Sequence, residues 1–141
     1  MYFQISKYLG AIYRKSKIEI NQQIQDLGVR ATQGDLILFI NDNPGLTQKQ
    51  ISKMMVLDAS LVGRDIQKLI DNAYVIRHST VQGYRTNSIF LTDKGVKLAH
   101  TLQAIIESWW YNCLSQDKSV DEPALAVQLA NLYHNVIDLK P

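Results

Sequence analysis

LTQKQISKMMVLDASLVGRDIQKLIDNAYVIRHSTVQGYRTNSIFLT, residues 46–92, is the stretch that decides the fold. Its pattern predicts two short helices joined by a tight turn and followed by a β-hairpin. Thr47 and Gln50 form the T-x-x-Q pattern of a capping box, so the first helix should begin at Gln48. Asp58 is the candidate N-cap of the second helix, because its carboxylate can accept from free backbone amides. The few residues between the two helices match the turn of a helix-turn-helix.

The second predicted helix, residues 58–74, has two unlike faces. Apolar side chains recur at helical spacing along one face, at Val62, Ile66, Leu69, Ile70 and Ala73. The other face carries small, hydrogen-bonding and cationic side chains: Ala59, Ser60, Gly63, Arg64, Gln67 and Lys68. Such a face fits a DNA major groove, where arginine reads guanine and glutamine reads adenine. A merely solvated polar face is the alternative, since most amphipathic helices have one, but the flanking elements favour DNA.

The hairpin is predicted from two β-prone runs, residues 75–78 and 87–91, with residues 80–86 as the loop around Gly83. Thr92 should cap the helix that follows. Further candidate DNA contacts lie at the start of the first helix and along the hairpin: Thr47, Gln48, Lys49, Arg77, His78, Tyr84, Arg85 and Thr86.

Residues 31–98 resemble the MarR family of bacterial transcription regulators. The matching pieces are NPGLTQKQIS, LDASLVGRDIQKLIDNAYVIR and GYRTNSIFLTDKG. The resemblance implies a winged helix-turn-helix that binds double-stranded DNA as a homodimer. Two departures stand out. Val56 occupies a turn position that is usually glycine, which predicts a strained or differently shaped turn. Gly83 replaces the acidic residue of the family's Asp-x-Arg wing, so Arg85 lacks its usual partner.

The whole chain of 141 residues has the length of one domain, mainly α with one small β-hairpin. We expect a single MarR-like domain over residues 1–141, with dimerisation helices in residues 1–30 and 93–141 and a DNA-binding region in residues 31–92.

The net charge of +2 is unevenly spread. Residues 46–92 hold six Lys/Arg against three Asp/Glu, while residues 93–141 hold four against six. This excess of positive charge in the DNA-binding region is what phosphate contacts need.

The flanking segments are predicted to be helical. A long helix covers residues 1–27 and ends at Gly28, a second begins after Thr32 as its cap, a long one covers residues 93–114, and the last begins near Pro123. The first and last helices carry more apolar surface than one small domain can cover. We therefore expect a homodimer, because symmetric dimers are the commonest oligomers. A monomeric helical bundle is the alternative.

Catalytic and metal-binding signals are weak in this sequence. His78, His100 and His134 lie on different elements and have no cysteine or carboxylate at metal-ligand spacing. No nucleophile elbow, phosphate-binding glycine loop or zinc-protease motif is present. The sequence thus predicts no enzyme, no catalytic residue, no metal and no cofactor.

The start of the chain lacks a signal-peptide pattern and no apolar run has membrane length, so we expect a cytoplasmic protein without a membrane partner.

Two places are candidates for sensing a signal. A pocket for a small aromatic effector is predicted between three of the flanking helices: the helix over residues 1–27, the one after Thr32, and the one over residues 93–114. Five aromatic side chains should line it: Tyr8, Tyr13, Phe39, Trp109 and Trp110. The alternative is that these rings fill the core or the dimer interface. The single cysteine, Cys113, has no neighbouring cation in sequence, which favours a buried and unreactive thiol over a redox sensor.

Together these features predict a homodimeric repressor of a pseudo-palindromic operator, released by a small molecule or another signal. The alternative from another class is a winged-helix protein-interaction module that does not bind DNA. The wing arginine, Arg85, is expected to approach phosphates or the narrow minor groove, where arginine is favoured.

Overall fold

The structure, a computed structural model, describes residues 1–82 and 84–138, and the side chains of residues 80–86 lie outside that description. The described chain is mainly helical with a small antiparallel sheet, which confirms the predicted fold class. The elements in order are α1 (Tyr2–Ile24), a 3₁₀ turn (Gln25–Leu27), α2 (Ala31–Asp42), β1 (Leu46–Thr47), α3 (Gln48–Met55), α4 (Ala59–Asp71), β2 (Val75–Gln82), β3 (Tyr84–Leu91), α5 (Asp93–Leu114) and α6 (Glu122–Asp138).

The second helix, α2, lies at the centre of the fold. It packs against α1, α4, α5 and β3, and its side chains Leu36, Ile37 and Ile40 are at most 1% exposed. Residues 36–40 read LILFI, and a helix that is apolar nearly all round needs neighbours on every side.

Three helix starts are those that the sequence predicts. The Thr47 hydroxyl accepts from the Gln50 N–H at 3.2 Å, and the Gln50 side chain accepts from the Thr47 N–H at 2.9 Å. Asp58 accepts from the Leu61 N–H at 3.0 Å, and Thr92 accepts from the Gly95 N–H at 3.0 Å. Each cap supplies an acceptor to a backbone amide that has no partner within the helix.

Three predicted helix boundaries are wrong. Helix α1 ends at Ile24 instead of residue 27, because the chain tightens into a 3₁₀ turn over Gln25–Leu27 before Gly28. Helix α2 begins at Ala31, before Thr32, because the Ala31 N–H finds its acceptor in the side-chain carbonyl of Asn21, ten residues earlier in the chain, at 3.1 Å. Helix α4 ends at Asp71 instead of continuing to residue 74. Ala73 follows in the left-handed conformation, with φ of 64°, which no helix continues through.

The sheet is larger than the sequence predicts. Its strand order is β1-β3-β2, and β1 pairs with β3 at Leu46↔Ile89 and Thr47↔Ser88. The predicted loop over residues 80–86 is wrong for the described backbone, because the β2–β3 ladder runs from Val75↔Leu91 out to Gln82↔Tyr84. The central residue of the predicted loop, Gly83, lies outside the described residues. Along the part of the chain that the structure describes, no helix is long and apolar enough to cross a membrane.

The turn between α3 and α4 keeps the shape of a glycine turn although it contains Val56. This valine has φ of 55° and ψ of 51°, the left-handed conformation. The turn is closed by the Leu57 N–H, which donates to the Ser52 carbonyl at 3.0 Å. Val56 is 68% exposed, so its side chain gains little from burial in this chain. The departure from glycine therefore leaves a β-branched side chain in the left-handed conformation, which costs strain.

We expect Val56→Gly to raise the free energy of unfolding by about 1 kcal/mol, since a side chain in the left-handed conformation costs about 1–2 kcal/mol and glycine recovers part of that cost at the expense of unfolded-state entropy. Val56→Ala is the matched control, and it should gain less because it keeps Cβ at the left-handed position. Urea unfolding of the three proteins measures the difference. A glycine variant no more stable than the parent would show that the turn is not strained.

Candidate nucleic-acid interface

Helix α4 presents one face to solvent and the opposite face to the core. Val62, Ile66 and Leu69 are at most 1% exposed, and Gly63 is partly covered. The other side chains of the predicted contact face are exposed: Ala59, Ser60, Arg64, Gln67 and Lys68. Of the predicted apolar stripe, Val62, Ile66 and Leu69 are therefore buried and Ile70 is partly buried, while Ala73 lies beyond the helix and is exposed.

The exposed face of α4 also holds a carboxylate that the sequence interpretation overlooked. The Gln67 side-chain amide donates to the Asp71 carboxylate one turn later, at 2.9 Å. The spacing of four residues between these two side chains was visible in the sequence and is the signal for such a pair. This bond uses one of the two N–H donors of the Gln67 amide, so the other N–H and the carbonyl have no partner in it. Arg64 and Lys68 are in no ion pair within the described residues.

Gln48 connects α3 with β2 through a hydrogen bond and packs against α4 beside this face. The Arg77 guanidinium donates to the Gln48 side-chain carbonyl at 3.4 Å. The amide nitrogen of the same Gln48 side chain lies 2.8 Å from the position that a Cβ on Gly63 would occupy. The structure thus brings together three of the predicted contact residues, and Gln48 fills the space that the absent side chain of Gly63 leaves.

Asp65 is a buried carboxylate on α4, on the side that faces α2. It is 7% exposed and accepts from the side-chain amide of Gln33, itself 7% exposed, at 3.4 Å. The Gln33 side-chain carbonyl accepts from the Arg30 N–H at 3.1 Å. Sequence reasoning missed Asp65, although its place three residues after Val62 and four before Leu69 puts it on the apolar side of the helix. This polar connection fixes α4 relative to the start of α2.

The remaining predicted contacts lie at the start of α3 and on the hairpin. Thr47 is partly buried in its capping box, and Lys49 is exposed. His78 is exposed and packs edge-on against the Phe90 ring, with centroids 5.3 Å apart. The other three predicted contacts have side chains outside the described residues, so their roles remain predictions: Tyr84, Arg85 and Thr86.

Two of the five predicted pocket aromatics share a cleft. Tyr13 and Phe39 line a cavity of about 540 Å³ together with Val56 in the α3–α4 turn and Tyr133 on α6. The Tyr133 hydroxyl donates to the carbonyl of Met54, at the end of α3, at 2.7 Å. The cleft therefore has the helix-turn-helix as one wall and the last helix as another.

The other three predicted pocket residues lie elsewhere. Tyr8 is 56% exposed on α1. Trp109 and Trp110 pack edge to face with centroids 5.0 Å apart, and the Trp109 indole N–H donates to Glu19 at 2.6 Å. That hydrogen bond, and then the Lys15 ammonium, lower the pKa of the Glu19 carboxyl. Neither tryptophan lines the cleft of Tyr13 and Phe39.

The predicted burial of Cys113 is wrong for the single chain, in which it is exposed. The buried residues of α5 end at Leu102, because the last turns of this helix extend past the core around α2. Among residues 1–82 and 84–138, no group of three or more His, Cys, Asp or Glu side chains has the arrangement of a metal site.

Comparison with known protein sequences gives a consistent result. A model of the MarR family matches residues 27–83, which include α2, α3, α4 and β2. A curated relative, the uncharacterized HTH-type transcriptional regulator YybA of Bacillus subtilis (strain 168), is 24% identical over 132 residues, which are 94% of this chain and 88% of the relative.

The fold leads to the same family. A MarR transcriptional regulator from Methanosarcina mazei Go1 superposes with a TM-score of 0.87 and 26% identity, over 99% of this chain and 100% of that one. A Listeria monocytogenes structure described as a MarR family transcriptional regulator complexed with 26mer DNA superposes with a TM-score of 0.83 and 20% identity, over 94% of this chain and 88% of that one. The helix-turn-helix, the hairpin and the order of the flanking helices agree with these structures, so the chain has the fold of MarR transcriptional regulators and matches the model of that family over residues 27–83.

Proposed function

We propose that the chain is a DNA-binding repressor that acts as a homodimer on a pseudo-palindromic operator and releases it in response to a small molecule or another signal. The observation that carries this proposal is the outer face of α4. Arg64 and Lys68 are exposed one turn apart on a helix whose opposite face is core. A rigid helix that presents unpaired cations and small side chains suits major-groove binding.

Two further observations support DNA as the partner. The Listeria relative is described with bound DNA, and so is another structural neighbour, MepR of S. aureus, with a TM-score of 0.75. In this chain Lys49 is exposed at the start of α3, where a cation can contact phosphate. Arg77 on β2, whose guanidinium donates to Gln48, is a second cation that can contact phosphate.

A homodimer is supported by the terminal helices. None of the residues of α6 is buried in the single chain. Large apolar side chains are also exposed along α1 at spacings of three and four residues: Ile5, Tyr8, Leu9, Ile12 and Tyr13. Such amphipathic helices gain most of their stability from packing, so a second copy of the chain is the proposed cover. Two-fold symmetry then places two α4 helices about one DNA turn apart.

The cleft of Tyr13 and Phe39 is the proposed effector site. Its lining is mainly apolar and aromatic, with the carboxylates of Asp35 and Asp42 beside the rings, which suits a small aromatic molecule. The wall made by the α3–α4 turn gives an occupant direct contact with the helix-turn-helix. An occupant that shifts this turn changes the spacing of the two α4 helices in the dimer. Operator affinity falls when that spacing no longer matches one DNA turn.

The alternative is a winged-helix protein-interaction module without DNA binding. The exposed cations of α4 and the excess of positive charge in residues 46–92 favour DNA over this alternative. A regulator of this kind acts in the cytoplasm, and we propose that location for it.

Arg64→Ala tests the proposed reading helix. We expect the variant to lose about 1–3 kcal/mol of operator binding free energy and to relax the preference at one base pair in each half-site. Lys49→Ala should instead weaken operator and random DNA by a similar factor, as a lost phosphate contact would. Selection of bound genomic fragments, followed by fluorescence anisotropy on the selected operator, measures both effects.

Lys118→Ala is the matched control for this experiment, because Lys118 is an exposed cation in the loop between α5 and α6. It should bind like the parent. If Arg64→Ala bound every fragment as the parent does, or if the parent retained no fragment, the protein-interaction alternative would replace this proposal.

Ile12→Glu tests the dimer. Ile12 lies within the exposed apolar stripe of α1 at 42% exposure, and a carboxylate there would be buried without a partner in the dimer. We expect monomer and loss of operator binding. Ile18→Glu, at 58% exposure on the other side of α1, should remain a dimer. Light scattering gives the mass of each variant, and a dimer of Ile12→Glu would contradict the proposed interface.

Tyr13→Ala tests the effector cleft. We expect simple phenols and benzoates to release the operator from the parent protein, and the variant to need about fivefold more of the active compound. One lost aromatic contact of about 1 kcal/mol has this effect. Tyr111→Ala is the control, because Tyr111 is similarly exposed but lies on α5. Equal sensitivity of the two variants and the parent would remove the cleft from the proposal.

A further inference from the structure

A second cleft, of about 590 Å³, opens between the end of α1, the start of α2 and the later half of α4. Two cations line it: Arg30, which is the residue before α2, and Lys68 on α4. Both are exposed, and among the described residues neither is in an ion pair. One carboxylate, Asp71, also lines the cleft, and it accepts from Gln67. The formal charge of the lining is therefore +1, which favours an anion.

The floor of this cleft is polar, buried and internally hydrogen-bonded. Gln33 lines it at 7% exposure. Its carbonyl accepts from the Arg30 N–H at 3.1 Å, and its amide donates to Asp65 of α4 at 3.4 Å. Asn21 of α1 holds the next N–H, that of Ala31, at 3.1 Å. These bonds tie the backbone at Arg30 to α1 and α4, so the fold brings the main chain at Arg30 and at Lys68 to the same cleft.

The cleft is continuous with the face of α4 that is proposed to read DNA. Lys68 follows Arg64 by four residues, so the two lie on the same face and about 6 Å apart along the helix. The major groove is about 12 Å wide. With Arg64 at the base edges, a cation one turn farther along the helix therefore reaches the phosphates at the groove wall. Arg30 lies across the cleft from it.

We propose that Arg30 and Lys68 hold a backbone phosphate of the operator between them, at the edge of the major groove. The contact extends the DNA footprint from α4 to the junction of α1 and α2. This inference rests on the proposed DNA-binding function and adds to it a residue outside the helix-turn-helix and the wing. A phosphate contact carries no base information, so Arg30 contributes affinity and register and leaves base preference unchanged.

Arg30→Gln tests the phosphate contact while keeping a long polar side chain. Its backbone N–H, and with it the bond to Gln33, is unchanged, so the melting temperature should stay that of the parent. Anisotropy titrations over a range of KCl concentrations should show weaker binding to operator and random DNA by a similar factor. The salt slope should fall by about one for each protomer engaged. Arg30→Lys should recover most of the slope, and Lys118→Gln should leave it unchanged.

The outcomes separate this inference from the function on which it rests. An unchanged slope for Arg30→Gln, with Arg64→Ala still losing base discrimination, would overturn the phosphate contact and leave the regulator proposal standing. If both variants bound DNA as the parent does, the phosphate contact and the DNA-binding function would both be overturned. If Arg30→Gln weakened operator and spared random DNA, the contact would be to a base and the inference would be wrong. If inorganic phosphate raised the melting temperature of the parent and not of Arg30→Gln, with an unchanged salt slope, the cleft would bind a free anion, which also overturns it.

Discussion

The complete burial of one face of α4 is the constraint on which the rest of the molecule depends. Val62, Ile66 and Leu69 are at most 1% exposed, and each contributes about 2 kcal/mol, against a net stability of about 5–15 kcal/mol for a domain. Hydrophobic burial is non-directional, and the hydrogen bond from Gln33 to the buried carboxylate of Asp65 adds direction to it. The outer face of α4 is held in one orientation because its back is part of the core.

Features that depend on neighbours in sequence were predictable, and features that depend on distant parts of the chain were not. The caps at Thr47, Asp58 and Thr92 each act on a residue three positions later, so a short window of sequence contains the whole interaction. The start of α2 depends on Asn21, ten residues earlier. Strand β1 is two residues long and exists through its pairing with β3, which no local pattern reports.

The predicted site shows the same division. Surface positions on α4 follow from helical periodicity, because the period fixes which residues share a face. The grouping of aromatic residues did not follow from periodicity, since Tyr13 on α1 and Phe39 on α2 line one cleft with the α3–α4 turn, while the Trp109 indole donates to Glu19 on α1. The exposure of Cys113 depends on where the core stops along α5. Periodicity gives the side of a helix but not the length over which a neighbour covers it.

The contact between Gly63 and Gln48 couples three positions that lie on different elements of the fold. A side chain at position 63 would displace the Gln48 amide, which lies 2.8 Å from the place of its Cβ, and Gln48 is the acceptor for Arg77. A substitution at position 63 is therefore felt on three elements at once, and its effect depends on the residues at positions 48 and 77. Substitutions at these three contacting positions are therefore expected not to be additive. A side chain at position 63 turns the flexible end of Gln48 aside and takes the acceptor away from Arg77, so the effect of a change on α4 depends on which residues stand on α3 and β2.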